Sequence, residues 1–244
     1  MSASQSPRPP VNAVNLLTVT TRLFRVTLLK CLPLGMFGVL CLEIPNFYWL
    51  AGGHSLEHGF PADRDYLLIS MAAAAVMLFF ISTMMLRQRA FASGAALDSW
   101  SELKFAAQRL PAVLLGWILA QLSLFVGFTL LILPGVFLFV CYLVMLPVLL
   151  FEQSNPYLAL VRCVQLVLPH WWHVFAAFVI SLLAMLVCAL AAGALLSIVA
   201  ALLQSEGSAV RAIITAVLVG LGAIVCVFAS ALALTIHSAA SSSA

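Results

Sequence analysis

Residues 54 to 58 read His-Ser-Leu-Glu-His, the H-x-x-E-H spacing with which an unbroken helix holds zinc between two histidines while the glutamate activates a water. The surroundings argue against that chemistry. Gly52 and Gly53 precede the stretch, and Gly59 and Pro61 follow it. A solvated loop is expected instead, in which His54, His58 and Asp63 meet at most an adventitious ion. A second pair, His170 and His173, lies one helical turn apart around Trp171 and Trp172. Glu152 is the only nearby acid and no third ligand is spaced to complete a metal site. Tryptophan and histidine together suit the boundary between headgroups and hydrocarbon. His170, Trp171, Trp172, His173 and Arg162 are therefore read as an interfacial anchor, and no metal or other cofactor is expected.

Two polar side chains fall within apolar runs. Glu43 lies 13 residues beyond Lys30, roughly 20 Å along a helix, and charges at such depth often mark transport paths or proton relays. Pro45 and Asn46 follow at once, so a kinked helix end near headgroups is the plainer reading. Gln121 is the other polar group near mid-bilayer, suited to a hydrogen bond between helices. Glu43 and Gln121 form the candidate intramembrane polar site. The chain has no phosphate-binding loop, no G-x-S-x-G nucleophile elbow and no dense intramembrane cluster of His, Asp and Glu, so an enzyme is not expected.

The elements that must position these residues follow from composition. Of 244 residues, 64% are hydrophobic and 8% charged, too few charges to cover a water-facing surface. No Asp, Glu, Lys or Arg occurs between Arg109 and Glu152, between Arg162 and Glu206, or after Arg211. Apolar runs of this length predict membrane helices, because only a helix satisfies its own backbone in hydrocarbon. The expected fold is all-α, an integral membrane six-helix bundle with spans at about 31–51, 66–86, 111–132, 135–151, 174–203 and 211–236. Residues 1–30 form a cytoplasmic tail and amphipathic helix, 31–237 the six-span domain and 238–244 a cytoplasmic Ser/Ala tail.

Orientation follows from the basic residues. With the N-terminus inside, Arg8, Arg22, Arg25, Lys30, Arg87, Arg89, Lys104, Arg109 and Arg162 are cytoplasmic, and only Arg64 and Arg211 lie outside. That asymmetry places both termini in the cytoplasm. A signal peptide is the weaker reading of the first span, since Lys30 interrupts its apolar run and Pro45 and Asn46 fall in its outer end. Cys31, Cys41, Cys141, Cys163, Cys188 and Cys226 have no paired spacing, so no disulfide framework is implied. The basic residues suit orientation and anionic lipid headgroups better than nucleic acid.

A Leu-Pro recurs before each odd-numbered span, ending at Pro33, Pro111 and Pro169, with spacings of 78 and 58 residues. Because proline is tolerated in a helix's first turn, each can mark a junction between a surface helix and a membrane helix. Three repeats of interfacial helix plus transmembrane hairpin are one reading; chance recurrence in a leucine-rich chain is the other. Ser99 or Ser101, and Ser154 or Asn155, are the expected helix caps. In the third surface helix Leu158, Leu160, Val161 and Val164 make an apolar side, leaving Arg162 and Gln165 for water or headgroups. The turn in LILPGVFL has only Pro134 and Gly135 as turn residues. Small residues at Ala189, Gly193, Ser197 and Ala201, and at Ala212, Ala216 and Gly220, predict that spans five and six pack together.

Residues 133 to 175 also carry a family resemblance. Leu133-Pro134-Gly135, Leu146-Pro147, Phe151-Glu152, Ala159-Leu160, Arg162, Leu166 and Trp171-Trp172 before Val174-Phe175 follow one another in the order and spacing of a pattern. The chain in this region resembles a bacterial membrane-protein family related to the membrane domain of glycerophosphoryl diester phosphodiesterases. Cys163, Pro169, His170 and Cys141 depart from the residues usual there. The resemblance implies a multipass inner-membrane protein of largely uncharacterised role, without the phosphodiesterase activity, whose soluble domain has no counterpart here. The expected function is a non-enzymatic envelope or lipid-associated scaffold in the bilayer, with a membrane-protein partner or a second copy as further partners. The alternative is a small transporter or permease for a lipid or amphiphilic solute, with Glu43 and Gln121 lining its path.

Overall fold

The structure is a computed structural model and describes residues 12–51, 64–94, 98–152, 155–203 and 208–241. These form α1 (Ala13–Ala51), α2 (Arg64–Ser93), α3 (Ser99–Leu130), α4 (Ile132–Tyr142), α5 (Met145–Phe151), α6 (Pro156–Val167), a 3-10 turn at Leu168–His170, α7 (Trp171–Leu203) and α8 (Ser208–Ser241). Six helical segments are long and apolar enough to cross a membrane, and no strand occurs among the described residues. The fold is an all-α six-helix membrane bundle, as expected where every backbone group must be satisfied within its own segment.

The prolines explain where helices stop. Pro147 stands in the first turn of α5, where its ring opposes the carbonyl of Leu143, and the helix breaks at Leu143–Val144. Pro134 stands likewise in the first turn of α4, just past the extended residue Leu131. Pro156 opens α6 behind Asn155, whose Oδ1 accepts from the Tyr157 amide at 3.1 Å, as the cap assignment anticipates. For α3 the cap is Asp98 rather than Ser99 or Ser101; Ser101 Oγ donates back to the Asp98 carbonyl. The three Leu-Pro sites are not alike. Only Pro169 separates two helices, whereas α1 runs unbroken through Pro33 and Pro45 and α3 through Pro111. The expected junctions at Pro33 and Pro111 are therefore absent, and the boundary drawn at residues 30 and 31 lies inside α1.

What carries α1 past its prolines is a partner on either side. Trp49 meets Tyr66, Phe37 stacks on Phe80, and Lys30 Nζ lies 4.1 Å over the Phe91 ring, which sets α2 antiparallel to α1. Along the other side the Thr20 and Thr235 hydroxyls are 2.6 Å apart, Phe24 meets Phe228, and a Cβ on Gly35 would come within 3.1 Å of the Ala223 carbonyl. Small residues thus bring α8 against α1. α7 and α8 do meet, as expected, but not closely at the two glycines: among the described residues an added Cβ at Gly193 or Gly220 would meet nothing within 4 Å, and Ser197, Ala201 and Ala212 lie outside the residues whose side chains are described.

α3 to α6 make a second unit. Gly116 abuts Leu149, Ser123 Oγ donates to the Tyr142 hydroxyl at 3.0 Å, and Gly127 faces the Gly135 backbone, so α3 runs antiparallel to α4–α5. Gly135 is needed for this close approach rather than for turn geometry; Leu131 alone makes the turn. α6 folds back along the same pair. Its buried face is Ala159, Cys163, Leu166 and Val167, packed among Val140, Val144 and Val148, while Leu158 and Val161 are exposed. Of the apolar side expected from sequence, Leu160 and Val164 do lie against this core while Leu158 and Val161 do not, so the packing face is turned toward Ala159, Cys163 and Leu166.

Candidate functional site

The residues that could do chemistry gather at one end of the bundle. Glu152, just past α5, accepts from Arg162 Nε of α6 at 3.1 Å, and its second oxygen lies 2.7 Å from His237 Nε2 of α8. Partial burial alone would push the Glu152 carboxyl up; the hydrogen bonds from Arg162 and His237 outweigh it and hold the group below the usual carboxylate range. Arg87 of α2 pairs with buried Glu102 of α3 at 3.0 Å and also donates to the Lys30 carbonyl and the Ser99 hydroxyl. One arginine therefore joins three helices. Deeper in the bundle, Gln88 is fully buried and donates from Nε2 to the Val227 carbonyl at 2.9 Å.

Between α1, α2, the end of α5 and α8 lies a cleft of about 570 Å³. Its polar lining is Arg22, Arg89, Thr235, His237, Ser238 and Ser241, set against an apolar wall that includes Leu23, Val26 and Phe151. The Arg89 guanidinium lies 3.9 Å over the Phe151 ring. Neither Arg22 nor Arg89 pairs with a carboxylate among the described residues, and Glu152 is already engaged by Arg162 and His237. The Thr235, Ser238 and Ser241 hydroxyls donate within α8 and His237 meets Glu152, so the two guanidinium groups against an apolar wall are the cleft's available donors, a chemistry that suits an anionic group.

The structure places the anticipated residues unevenly. Arg162 joins the charged end through Glu152. The two tryptophans point differently: Trp172 is 73% exposed, whereas Trp171 stacks on Phe137 and Phe175, and its buried Nε1 has no hydrogen-bond partner among the described residues. Trp171 is therefore a packing residue rather than a free anchor. His173 is exposed and His170 half-buried. Glu43 accepts from the Asn46 side chain at 3.1 Å, within a helix that continues past Pro45 rather than ending there. Gln121 is exposed on α3, whose packing partners are α2 and α4 to α6, whereas α1 packs on α2, α7 and α8. Glu43 and Gln121 line neither the charged cleft nor a shared cavity described here. His54, His58 and Asp63 lie outside the described residues.

His237, Arg89, Arg22 and Glu102 were not singled out from sequence as site residues. Arg22 and Arg89 were visible only as orienting charges. His237 stands alone in an apolar run and meets Glu152 across 85 residues, a pairing with no local signature. No family model, curated protein or solved structure matches the chain.

Proposed function

We propose that the chain is a non-enzymatic, lipid-associated protein of the bacterial inner membrane, with both termini cytoplasmic, that holds an anionic phospholipid headgroup in the cleft between Arg22 and Arg89. The observation that carries this reading is the pair of arginines without carboxylate partners, facing an apolar wall at the charged end of a membrane bundle. Guanidinium groups match phosphate oxygens in geometry and charge, and the wall of Leu23, Val26 and Phe151 suits the glycerol and upper acyl region. The positive-inside distribution supports the orientation, and the resemblance of residues 133 to 175 supports the membrane assignment.

Thermal unfolding of the full chain in mixed micelles tests it. Phosphatidylglycerol is expected to raise the midpoint more than phosphatidylcholine at equal mole fraction, since a ligand of the native state stabilises it by mass action. The double variant Arg22→Gln, Arg89→Gln should weaken phosphatidylglycerol binding at least about tenfold. Equal shifts by the two lipids, or an unchanged response in the variant, would refute the reading.

A further inference from the structure

The turn between α3 and α4 is unlike one that emerges into water. Leu130, Leu131, Ile132 and Leu133 are 67–81% exposed, and no charged side chain stands anywhere between Arg109 and Glu152. Four successive exposed leucine or isoleucine residues at a turn call for a hydrocarbon surrounding. The backbone at the tip is paired in part, with the Ile132 and Leu133 amides forming the open first turn of α4. The Leu131 amide donates to the Gly127 carbonyl at 3.2 Å, the Leu131 carbonyl accepts from Gly135 at 3.4 Å, and Pro134 brings no N–H. Even the nearest hydroxyl, the exposed Thr129, donates back to the Phe125 carbonyl of its own helix.

Two further observations set the hairpin's depth. Its close contacts near the tip are with itself: Gly127 against Gly135, and Gly135 against Phe128. The buried core that ties α3 to α6 into the bundle instead draws on the charged-end stretch of α8, from Leu232 to Ala240. The second observation is α6. Tyr157, Gln165 and His173 are exposed along α6 and the start of α7, over roughly 24 Å of helix. An upright α6 would hold some of them in hydrocarbon, whereas an in-plane one keeps all of them among headgroups. α6 runs antiparallel to α4–α5, with Arg162 on Glu152 at one end and Trp171 on Phe137 at the other. A shallow α6 therefore makes α4–α5 and its partner α3 shallow as well.

We infer that the α3–α4 hairpin enters the leaflet at the charged end and turns inside the acyl chains without emerging on the far side. α1, α2, α7 and α8 then make four crossings, and the hairpin is a wedge in one leaflet, with lipid acyl chains as its partner. An entering and returning hairpin leaves the sidedness of every flanking segment unchanged, so the distribution of basic residues fits four crossings as well as six. Gln121, exposed on α3, is then at headgroup depth rather than at the bilayer centre. The inference stands whether or not the cleft holds a headgroup.

The test is a single added cysteine at the tip, Leu131→Cys, in the full chain in sealed vesicles, with labelling measured above the wild-type background. Asn12→Cys and Asp65→Cys, exposed at the starts of α1 and α2, serve as the reporters for the two faces, and Leu133→Cys replaces Leu131→Cys if that variant does not fold. The tip cysteine is expected to resist a membrane-impermeant maleimide from both sides; modification from either face overturns the inference. A nitroxide at the same position decides it independently. Relaxation by oxygen exceeding that by a water-soluble nickel chelate supports a tip in hydrocarbon, and the reverse order refutes it.

Discussion

α1, α2 and α8 hold together differently from α3 to α6. In the first group long helices lie side by side, and their clasps are small or polar: Thr20 on Thr235, Gly35 on Ala223, Gln88 on the Val227 carbonyl. α1 keeps its course for 39 residues through two prolines. In the second group α3 also runs through Pro111, but beyond it Pro134, Pro147, Pro156 and Pro169 each stand at the start of an element, and the short helices α4 to α6 are joined by dense apolar packing around Val140, Val144, Val148 and Leu149. The contrast shows that a proline's effect depends on what flanks it. A helix gripped on both sides can forgo a backbone bond, whereas a unit held by side chains can be broken wherever its packing is kept.

The largest expected effect falls on the second group. Ala159→Leu forces extra volume between α6 and α4–α5 and should lower stability by about 1–3 kcal/mol, read as a fall in thermal midpoint in detergent. Leu158→Ala, one residue away on the exposed side, should change little. Equal effects from the two would put the packing face of α6 back where the sequence pattern suggested. Thr20→Val attacks the first group more gently, at about 0.6 kcal/mol, the average for a hydrogen bond between membrane helices. Combining it with Thr235→Val should cost less than the sum of the single changes. Full additivity would mean that the two hydroxyls do not act on each other.

The smallest effect lies where the groups meet. Glu152→Gln should remove only a few tenths of a kcal/mol near neutral pH, because the ion pair is partly open to solvent. Its pH signature is more telling. A carboxyl held below its ordinary range contributes stability that is complete above that range and is lost as pH falls through the lowered value. The wild type should therefore lose this part of its stability in acid, and the variant should not. An identical acid limb in both would show that Glu152 does not couple to Arg162 and His237.

Much of the architecture was legible because hydrocarbon is a demanding solvent. Charge-free runs and the gathering of arginines on alternate segments point to helices and to a charged end without any knowledge of contacts. The face of α6 was not legible, since Leu158 and Ala159 are both apolar and only packing separates them. Pro33 and Pro147 read alike in sequence, yet one lies within a helix and the other opens one. Of the site, Arg162 is marked by its position before the tryptophan pair, its acceptor Glu152 only as the acid nearest the histidine pair and within the Phe151-Glu152 element of the resemblance, and His237 has nothing nearby to mark it.

Gln88 gives the bundle a sequence in time as well as in space. Its partner carbonyl, on Val227, lies 139 residues further along the chain. During synthesis α2 reaches the membrane long before α8, so its side-chain amide must find a provisional partner in water, a headgroup or the insertion machinery. Arrival of the last helix releases that partner. Closure of the structure around α8 is thus also the step at which an interim contact of the nascent chain is exchanged for a permanent one.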